Sequence, residues 1–568
     1  MVAITARLDD LESLMGIRLP RDNEELNELL YYVKCELAGS SRTEPLTDDS
    51  ELQIEDVDTN RPDIWCPEGI ARALSGIKGK EIGLRRYRLS AKIATDIHVD
   101  MELQSIRPFI ACFVAQGARL SDWIIRGLIQ LQEKLDYSYG RRRKRSSIGF
   151  YDFDLIQPPL RYGAAAPEEI RFVPLEGTEQ LSLREILEKH PKGIEYGYTV
   201  IGHEKFPILL DSQGKVLSFP PIINSNDLGR ITPDTRNVLV EVTGTSEDTV
   251  LNVLTILATT LADRGATIHP AGVHYNYGKP RRIKTPVLKK RQVKLKIEEA
   301  KKLMGLNLSP SEIVTLLRRS RYDASASSAK TVTVSIPSYR LDILHSVDII
   351  EDIAIAYGLN RVRPRWPSDL TIGGLSSLEE FSDTIRELVI GSGFQEVLTF
   401  MMTNQEKLFT KMNQTPSPVV EVSNPKVSTL NCLRSWLLPS LMDFLAGNTH
   451  VEYPQRLFEV GDCTVSDSNH QPKDIRKLAC VSAHAKANFT EIKSHLEPFL
   501  MNLGIEFTLE SASNPSFLEG RVGTILIGEQ EVGVIGEVHP QVLENWNLED
   551  PVAAMEVNLG ALFATRAQ

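Results

Sequence analysis

The sequence predicts a multidomain protein of mixed α/β and α+β class, and three observations carry that expectation. The chain has 568 residues, which at roughly 100–200 residues per domain means several cores rather than one. Its composition, 42% hydrophobic and 24% charged, is that of an ordinary globular protein and excludes collagen-like, low-complexity and wholly disordered classes. Stretches with strand-type alternation and stretches with helical periodicity follow one another along its whole length.

Residues 1–85 read as a small α/β domain. Leu8, Leu11, Leu14 and Met15 share one helical face, and a second helix follows near Asn23–Leu30. Glu51–Val57 alternates as a strand, TNRPD turns the chain, and a helix from Glu68 is expected to stop at Gly76 and Gly79. Residues 86–275 read as a mixed α/β domain. Phe109–Val114 is its first strand, and Ser121–Leu135 is an amphipathic helix with Ile124, Ile125, Leu128, Ile129 and Leu131 inward. FPILLDSQGKVLSFPPIIN reads as strand, turn, strand and Pro-Pro turn, and NVLVEVTG is a strand leading into a helix over Val250–Asp263. Lys279–Lys296, basic and without an acid, reads as a linker. The module at 276–366 carries helices at Ile297–Met304, after Ser309 and at Val347–Tyr357, with the alternating strand TVTVSI among them. WPSDLTIGG (Trp366–Gly374) marks the next boundary, and 367–568 alternates helices and strands, ending in the hairpin-like TILIGEQEVGVIGEVHP.

A net charge of −11 argues against a nucleic-acid partner for the chain as a whole. Basic residues nevertheless concentrate at Arg141–Arg145 and Lys279–Lys296. No apolar run reaches the roughly 18 residues of a membrane span; Val250–Ala262 is hemmed in by Glu247, Asp248, Asp263 and Arg264. Acids in the first residues do not suit a signal peptide, and six dispersed cysteines fit reduced thiols, so the expectation is a cytoplasmic protein with no membrane partner. Walker, nucleophile-elbow and H-E-x-x-H motifs are absent.

Three constellations could carry chemistry. In SYRLDILHSVDIIEDIAIAYG, Asp348, Glu351 and Asp352 stand at i, i+3 and i+4 of a helix beginning near His345, with Asp342 just ahead. Gathered carboxylates suit a hard cation such as Mg²⁺, or they enrich a first helical turn because they suit its dipole. In LSFPPIINSNDLGRITPDTRNVLVEVTGT, the polar Ser218, Asn224, Arg230, Glu241 and Thr243 lie among apolar strands. Glu241 either lines a pocket or is the solvent-facing member of an alternation. Arg141, Arg142, Arg143, Lys144 and Arg145, with Tyr137, Tyr139, Phe150 and Tyr151 around them, suit phosphate contacts and base stacking, or a solvated surface run.

These segments, in this order and essentially end to end, resemble the phenylalanyl-tRNA synthetase β-subunit family in its archaeal and eukaryotic cytosolic form. NRPDIWCPEGIARAL, GRRRKRSSIGFYDFDLI, FPILLDSQGKVLSFPPIINS with VEVTGT, SYRLDILHSVDIIEDIAIAYG, CLRSWLLPSLMDFLAGNTHVEYPQRLFEVGD and IGEVHPQVLENW carry the resemblance together. It implies an (αβ)₂ assembly with an α subunit, which uses ATP at the α chain to attach phenylalanine to its tRNA. It also implies a tRNA-editing domain at 86–275, a small helical or winged module at 276–366 with a magnesium site at Asp342, Asp348, Glu351 and Asp352, and a degenerate class II synthetase-like antiparallel sheet domain at 367–568. Arg456-Leu457-Phe458-Glu459 only loosely echoes the phosphate-clamping F-R-x-E of a working site, and AAMEVNLGALFATRAQ has no second arginine helix, so this domain is expected to be structural. The editing pocket, which would hydrolyse mischarged tyrosyl-tRNA, is implied at Leu209, Ser218, Asn224, Glu241 and Thr243 with Arg230 at its rim. Bacterial relatives carry an inserted oligonucleotide-binding domain and an anticodon-binding domain that do not fit the length here. Two other readings stay open: a scaffold and tRNA-binding subunit without editing, and a free-standing metal-dependent hydrolase built on Asp342 and Asp348.

Overall fold

Alternation along Glu51–Val57 makes it the middle strand of a three-stranded antiparallel sheet, between Val2–Arg7 and Glu36–Leu37. The helix Leu8–Met15 ends on Gly16, whose left-handed backbone lets its N–H reach the Glu12 carbonyl. The helix Asn23–Tyr31 starts on Asp22, whose carboxylate accepts from the Glu24 and Glu25 amides. The helix Pro67–Ile77 runs through Gly76, where a Cβ would strike the packed Arg319 backbone, and stops just ahead of Gly79, whose φ is 72°. The computed structural model describes residues 2–38, 45–278, 280–367, 371–466 and 471–566. They fall in two units, Met1–Arg365 and Trp366–Gln568.

In the first unit a ten-stranded mixed sheet surrounds the strand Asn237–Gly244, which pairs antiparallel with Phe109–Gln116 on one side and Ser146–Asp152 on the other. Val238, Val240 and Val242 face the helix Glu247–Asp263, while Leu239 enters a second core with Cys112, Tyr151, Leu209 and Leu217. Both faces of this strand are therefore covered, and the solvent-facing alternative for Glu241 fails. Ile129 is a smaller departure: the helix Asp122–Lys134 leaves it exposed while Leu128 and Leu131 are buried.

The basic stretch expected to be a linker is largely strand. Arg281–Thr285 pairs with Thr267–Tyr275, and Arg291–Lys296 pairs with Thr331–Ile336. Buried Thr285 and Leu295 alternate with the outward basic side chains, a pattern that charge alone conceals. Lys279, the first residue of that stretch, lies outside the described residues, as do Ser368, Asp369 and Leu370 of the expected boundary.

The following module is a three-stranded sheet with helices Ile297–Met304, Pro310–Arg319 and Ser346–Tyr357, the second opened by a Ser309–Glu312 capping box. Its Leu295, Ile313, Val334 and Ile353 belong to one apolar core with Ile4, Leu11, Ile70 and Val253. The core thus runs without a break past residues 85 and 276. Ion pairs reinforce it: buried Arg72 with Asp263 at 2.6 Å, and partly buried Arg264 with Asp10 at 2.5 Å and Glu68 at 2.6 Å.

The second unit is built on a seven-stranded sheet whose central strands are Gln455–Ser466, Pro472–Ala483, Val552–Asn558 and Gln530–Val538. All its pairs are antiparallel except that of Gln395–Glu396 with Gln455–Ser466. Alternate residues serve two cores, Phe458 and Cys480 packing with the helix Phe489–Asn502, and Leu457 and Val481 with the helix Leu438–Gly447. All six cysteines are free and buried.

Candidate functional site

The buried carboxyl of Glu241 is the centre of the most unusual polar site in the first unit. Its residue is 2% exposed, on a strand whose register sets it opposite Cys112 and Gly149. The Tyr151 hydroxyl shares its proton among Glu241 Oε2 at 3.0 Å, Ser218 Oγ at 2.8 Å and Asn224 Oδ1 at 3.4 Å. The strand Val216–Phe219 brings Ser218 opposite both Leu209 and Asn224, and Asn224 Nδ2 donates to the Phe150 and Gly229 carbonyls at 3.3 Å each. Glycine is required at 149, where a Cβ would fall on the Tyr151 hydroxyl and the Glu241 carboxylate. Glu241 Oε1 is left buried without a hydrogen-bond partner.

Thr243, two residues along the same strand face, is tied to the site by Arg107. The Arg107 guanidinium is buried and donates to Thr243 Oγ1 at 3.0 Å, Thr243 O at 2.7 Å, Ser147 Oγ at 3.1 Å and Arg143 O at 3.0 Å. Burial pushes the Glu241 carboxyl up to about 7, against the opposing pull of the Tyr151 hydroxyl and Arg107. Burial likewise pushes Asp136 up to about 7, although Arg143 and Arg107 pull it down. The Tyr151 phenol is raised well above its ordinary value by burial and by Glu241. The buried cluster therefore holds a carboxyl that titrates near neutrality beside a phenol that stays protonated.

The structure brings Leu209, Ser218, Asn224, Glu241 and Thr243 together, and leaves Arg230 exposed at the edge. Tyr151 belongs to this buried cluster and not with the basic run. Sequence reading passes over Arg107, Asp136 and Gly149. A charged Arg107 directly ahead of the apolar strand FIACFV was the available signal, since a cation is seldom buried there without a purpose.

The arginine run divides in two. Arg141, Arg142, Lys144 and Arg145 are exposed. Arg143 turns inward: it lies 3.2 Å from the Asp136 carboxylate, stacks over the Tyr196 ring at 4.2 Å and donates to the Pro221 and Ile222 carbonyls at 3.0 and 2.9 Å. Its cation is engaged inside the protein, unlike those of its four neighbours.

The four carboxylates of the small module do not stand free. Arg340 donates to Asp342 at 2.8 and 2.6 Å and to Asp352 at 2.6 Å, and Tyr322 also donates to Asp352. Burial pushes Asp342 up, yet Arg340 holds it down at about 2. Asp348 Oδ2 accepts the Leu344 and His345 amides at 2.7 Å each, capping the helix, and exposed Glu351 pairs with Lys34 at 2.9 Å. The donor chemistry, all hard carboxylate oxygen, fits magnesium. The placed side chains direct much of it to Arg340, Lys34 and two amides.

In the second unit Arg456 pairs with Glu491 at 3.0 Å, and the buried Glu459 is held by Arg434 at 2.8 Å and by the Thr399 hydroxyl at 2.6 Å. Both cations near the F-R-x-E echo are engaged internally.

Comparison with known proteins bears on the whole chain. Residues 293–359 match the family described as tRNA synthetase B5 domain, and residues 364–559 that described as Phenylalanyl tRNA synthetase beta chain CLM domain. The phenylalanine–tRNA ligase beta subunit of Pyrococcus furiosus is 42% identical over 558 residues, 98% of each chain. That of Methanocaldococcus jannaschii is 39% identical over 571 residues, 98% of this chain and 100% of the other. The crystal structure of an N-terminal fragment of the phenylalanyl-tRNA synthetase beta-subunit from Pyrococcus horikoshii, 39% identical, covers 63% of this chain and 99% of the fragment with a TM-score of 0.59.

Proposed function

The chain belongs to the phenylalanine–tRNA ligase beta-subunit family, and from that premise we propose that its middle domain hydrolyses tyrosine wrongly attached to phenylalanine tRNA. The chain acts in an (αβ)₂ assembly with the α subunit, which carries the ATP-dependent synthetic site; the internal pairing of Arg456 and Arg434 supports a structural role for the second unit.

A pocket shaped for the phenylalanine ring rejects an added hydroxyl only about a hundredfold, so a second sieve is needed. The observation that carries the reading is Glu241 Oε1, a buried carboxyl oxygen without a partner beside the Tyr151 hydroxyl. A tyrosine phenol offers it the missing hydrogen bond, whereas a phenylalanine ring leaves it unmet. In the hydrolysis a water oxygen bonds to the ester carbonyl carbon, the bond to the ribose oxygen breaks, and the water's proton ends on that oxygen. Among the described residues no histidine joins this site, and its Ser218 and Thr243 hydroxyls are engaged by Tyr151 and Arg107, so its residues select and orient the aminoacyl group, and the water is positioned by backbone and by the tRNA's neighbouring hydroxyl. Replacing Glu241 with Ala in the purified assembly tests this: clearance of Tyr-tRNA should fall, and an unchanged rate would overturn the pocket.

We also propose that magnesium is held by Asp342, Asp348, Glu351 and Asp352, in exchange for the Arg340 and Lys34 contacts. Magnesium titration by calorimetry should release heat in the assembly and lose it in Asp348→Asn; equal heats would remove the site.

A further inference from the structure

We propose that the loop of Arg141–Arg145, together with Tyr137 and Tyr198, is a stacking platform for an unpaired RNA 3′ end; its direction toward the pocket rests on the deacylation reading above. The helix Asp122–Lys134 widens into a π turn over Leu135–Tyr139, and Arg141, Arg142 and Arg143 then follow at φ 50°, 51° and 62°. Three consecutive non-glycine residues in the left-handed region are strained, and such strain persists where surrounding structure over-determines it, often at ligand clamps. Here the Arg142 amide donates to Tyr137 O at 2.9 Å, the Arg143 amide to Asp136 O at 2.9 Å and the Arg145 amide to Gly140 O at 2.7 Å. The Tyr198 hydroxyl closes the outer side by donating to Arg142 O at 2.6 Å.

The left-handed run turns Arg143 into the protein and its neighbours out. The Arg142 guanidinium lies over the Tyr137 ring at 5.1 Å and donates to the Tyr137 hydroxyl at 3.0 Å. Tyr137 is 57% and Tyr198 53% exposed, so two aromatic faces flank one outward guanidinium. Among the described residues no carboxylate pairs with Arg141, Arg142, Lys144 or Arg145, in a chain of net charge −11 where Arg143, Arg161, Arg171, Arg264 and Arg340 each have one. Uncompensated cations serve phosphates, and exposed rings serve the faces of unstacked bases, which a duplex does not offer.

The platform is joined to the pocket by its own backbone. The Arg143 and Lys144 carbonyls accept from Arg107 at 3.0 and 3.4 Å, and Arg107 holds Thr243. The Arg143 side chain holds the Pro221–Ile222 carbonyls just ahead of Asn224. An RNA end stacked on Tyr137 and Tyr198 therefore rests on the segment that frames the pocket.

The test uses the assembled enzyme with its partner subunit and a single-stranded RNA ending in the acceptor sequence, with 2-aminopurine as the terminal base. The wild type should quench its fluorescence, and Tyr137→Ala/Tyr198→Ala should abolish the quench. The same variant should raise KM for Tyr-tRNA deacylation by at least about tenfold, the loss falling on KM, since a stacked base is worth about that much or more. Tyr198→Phe keeps the ring and should keep the quench. Arg141→Gln/Arg142→Gln should lower the salt dependence of binding by about two counterions. Unchanged quench and KM in the double alanine variant would overturn the platform. Glu241→Gln should leave the quench intact while deacylation falls, so a failure of the hydrolytic reading is distinguished from a failure of this one.

Discussion

Replacing Glu241 by Gln should make the chain more stable above neutral pH and change it far less in mild acid. The carboxyl is raised from 4.5 to about 7 because burial disfavours its charge. Below its unfolded value both states carry the proton, and the residue's ionisation contributes nothing to the pH dependence. Between there and about 7 the folded chain keeps a proton that the unfolded chain has lost, so stability falls as pH rises, and the loss levels off above the folded value. The interval between 4.5 and about 7 corresponds to about 3 kcal/mol, an upper figure because Asp136 titrates in the same range and shares Arg107. Glutamine has the same shape, keeps an oxygen for the Tyr151 hydroxyl and never ionises. Urea unfolding of wild type and Glu241→Gln at about pH 5 and about pH 8 measures the difference directly. The variant should gain at the higher pH by up to about 3 kcal/mol and at the lower by less than about 1 kcal/mol. A difference that is equal at both values, or a loss confined to the higher pH, would refute the placement of an ionisable carboxyl in this core.

Gly149→Ala puts a methyl group onto the Tyr151 hydroxyl and the Glu241 carboxylate; it should cost about 1–3 kcal/mol in urea unfolding and abolish Tyr-tRNA deacylation. Arg340→Met leaves Asp342 and Asp352 buried without their guanidinium, and about 3–5 kcal/mol of stability should be lost by the same measurement. Arg456→Ala breaks only the half-exposed pair with Glu491, so initial rates of phenylalanine attachment by the assembly should be unchanged.

What was legible follows from period. Strands such as Glu51–Val57 and Thr331–Ile336, and the helix Ile297–Met304, are local patterns with local signals, and they stand where alternation and capping put them. Arg281–Thr285 and Arg291–Lys296 were hidden because outward lysines and arginines dominate their composition while single buried residues set their register. Glu241 shows a different limit. Whether a strand's second face meets water depends on what other segments cover it, and Leu209, Leu217 and Tyr151 come from three separate strands. The carboxylates of the small module illustrate the converse. Helical spacing puts Asp348, Glu351 and Asp352 within two turns of one helix, but Lys34 and the orientation of Arg340 enter only with the tertiary structure.

Arg143 joins these threads. Read as charge, it is one of five equivalent basic residues; in the fold it is the one whose cation is set between a buried carboxylate, Asp136, and the Pro221 and Ile222 carbonyls. Its left-handed neighbours make that inward turn possible, since a right-handed continuation of the helix would carry the side chain along the outer face. The same turn exposes the Arg143 and Lys144 carbonyls to Arg107, which supplies the positive field beside Glu241. A loop that is strained on its own is thus tied through Arg107 to Thr243 and Ser147, on the strands that carry Glu241 and Gly149. On the proposed docking of an RNA end at the outer face, its binding energy would reach the inner one through the backbone of five residues that the two faces share.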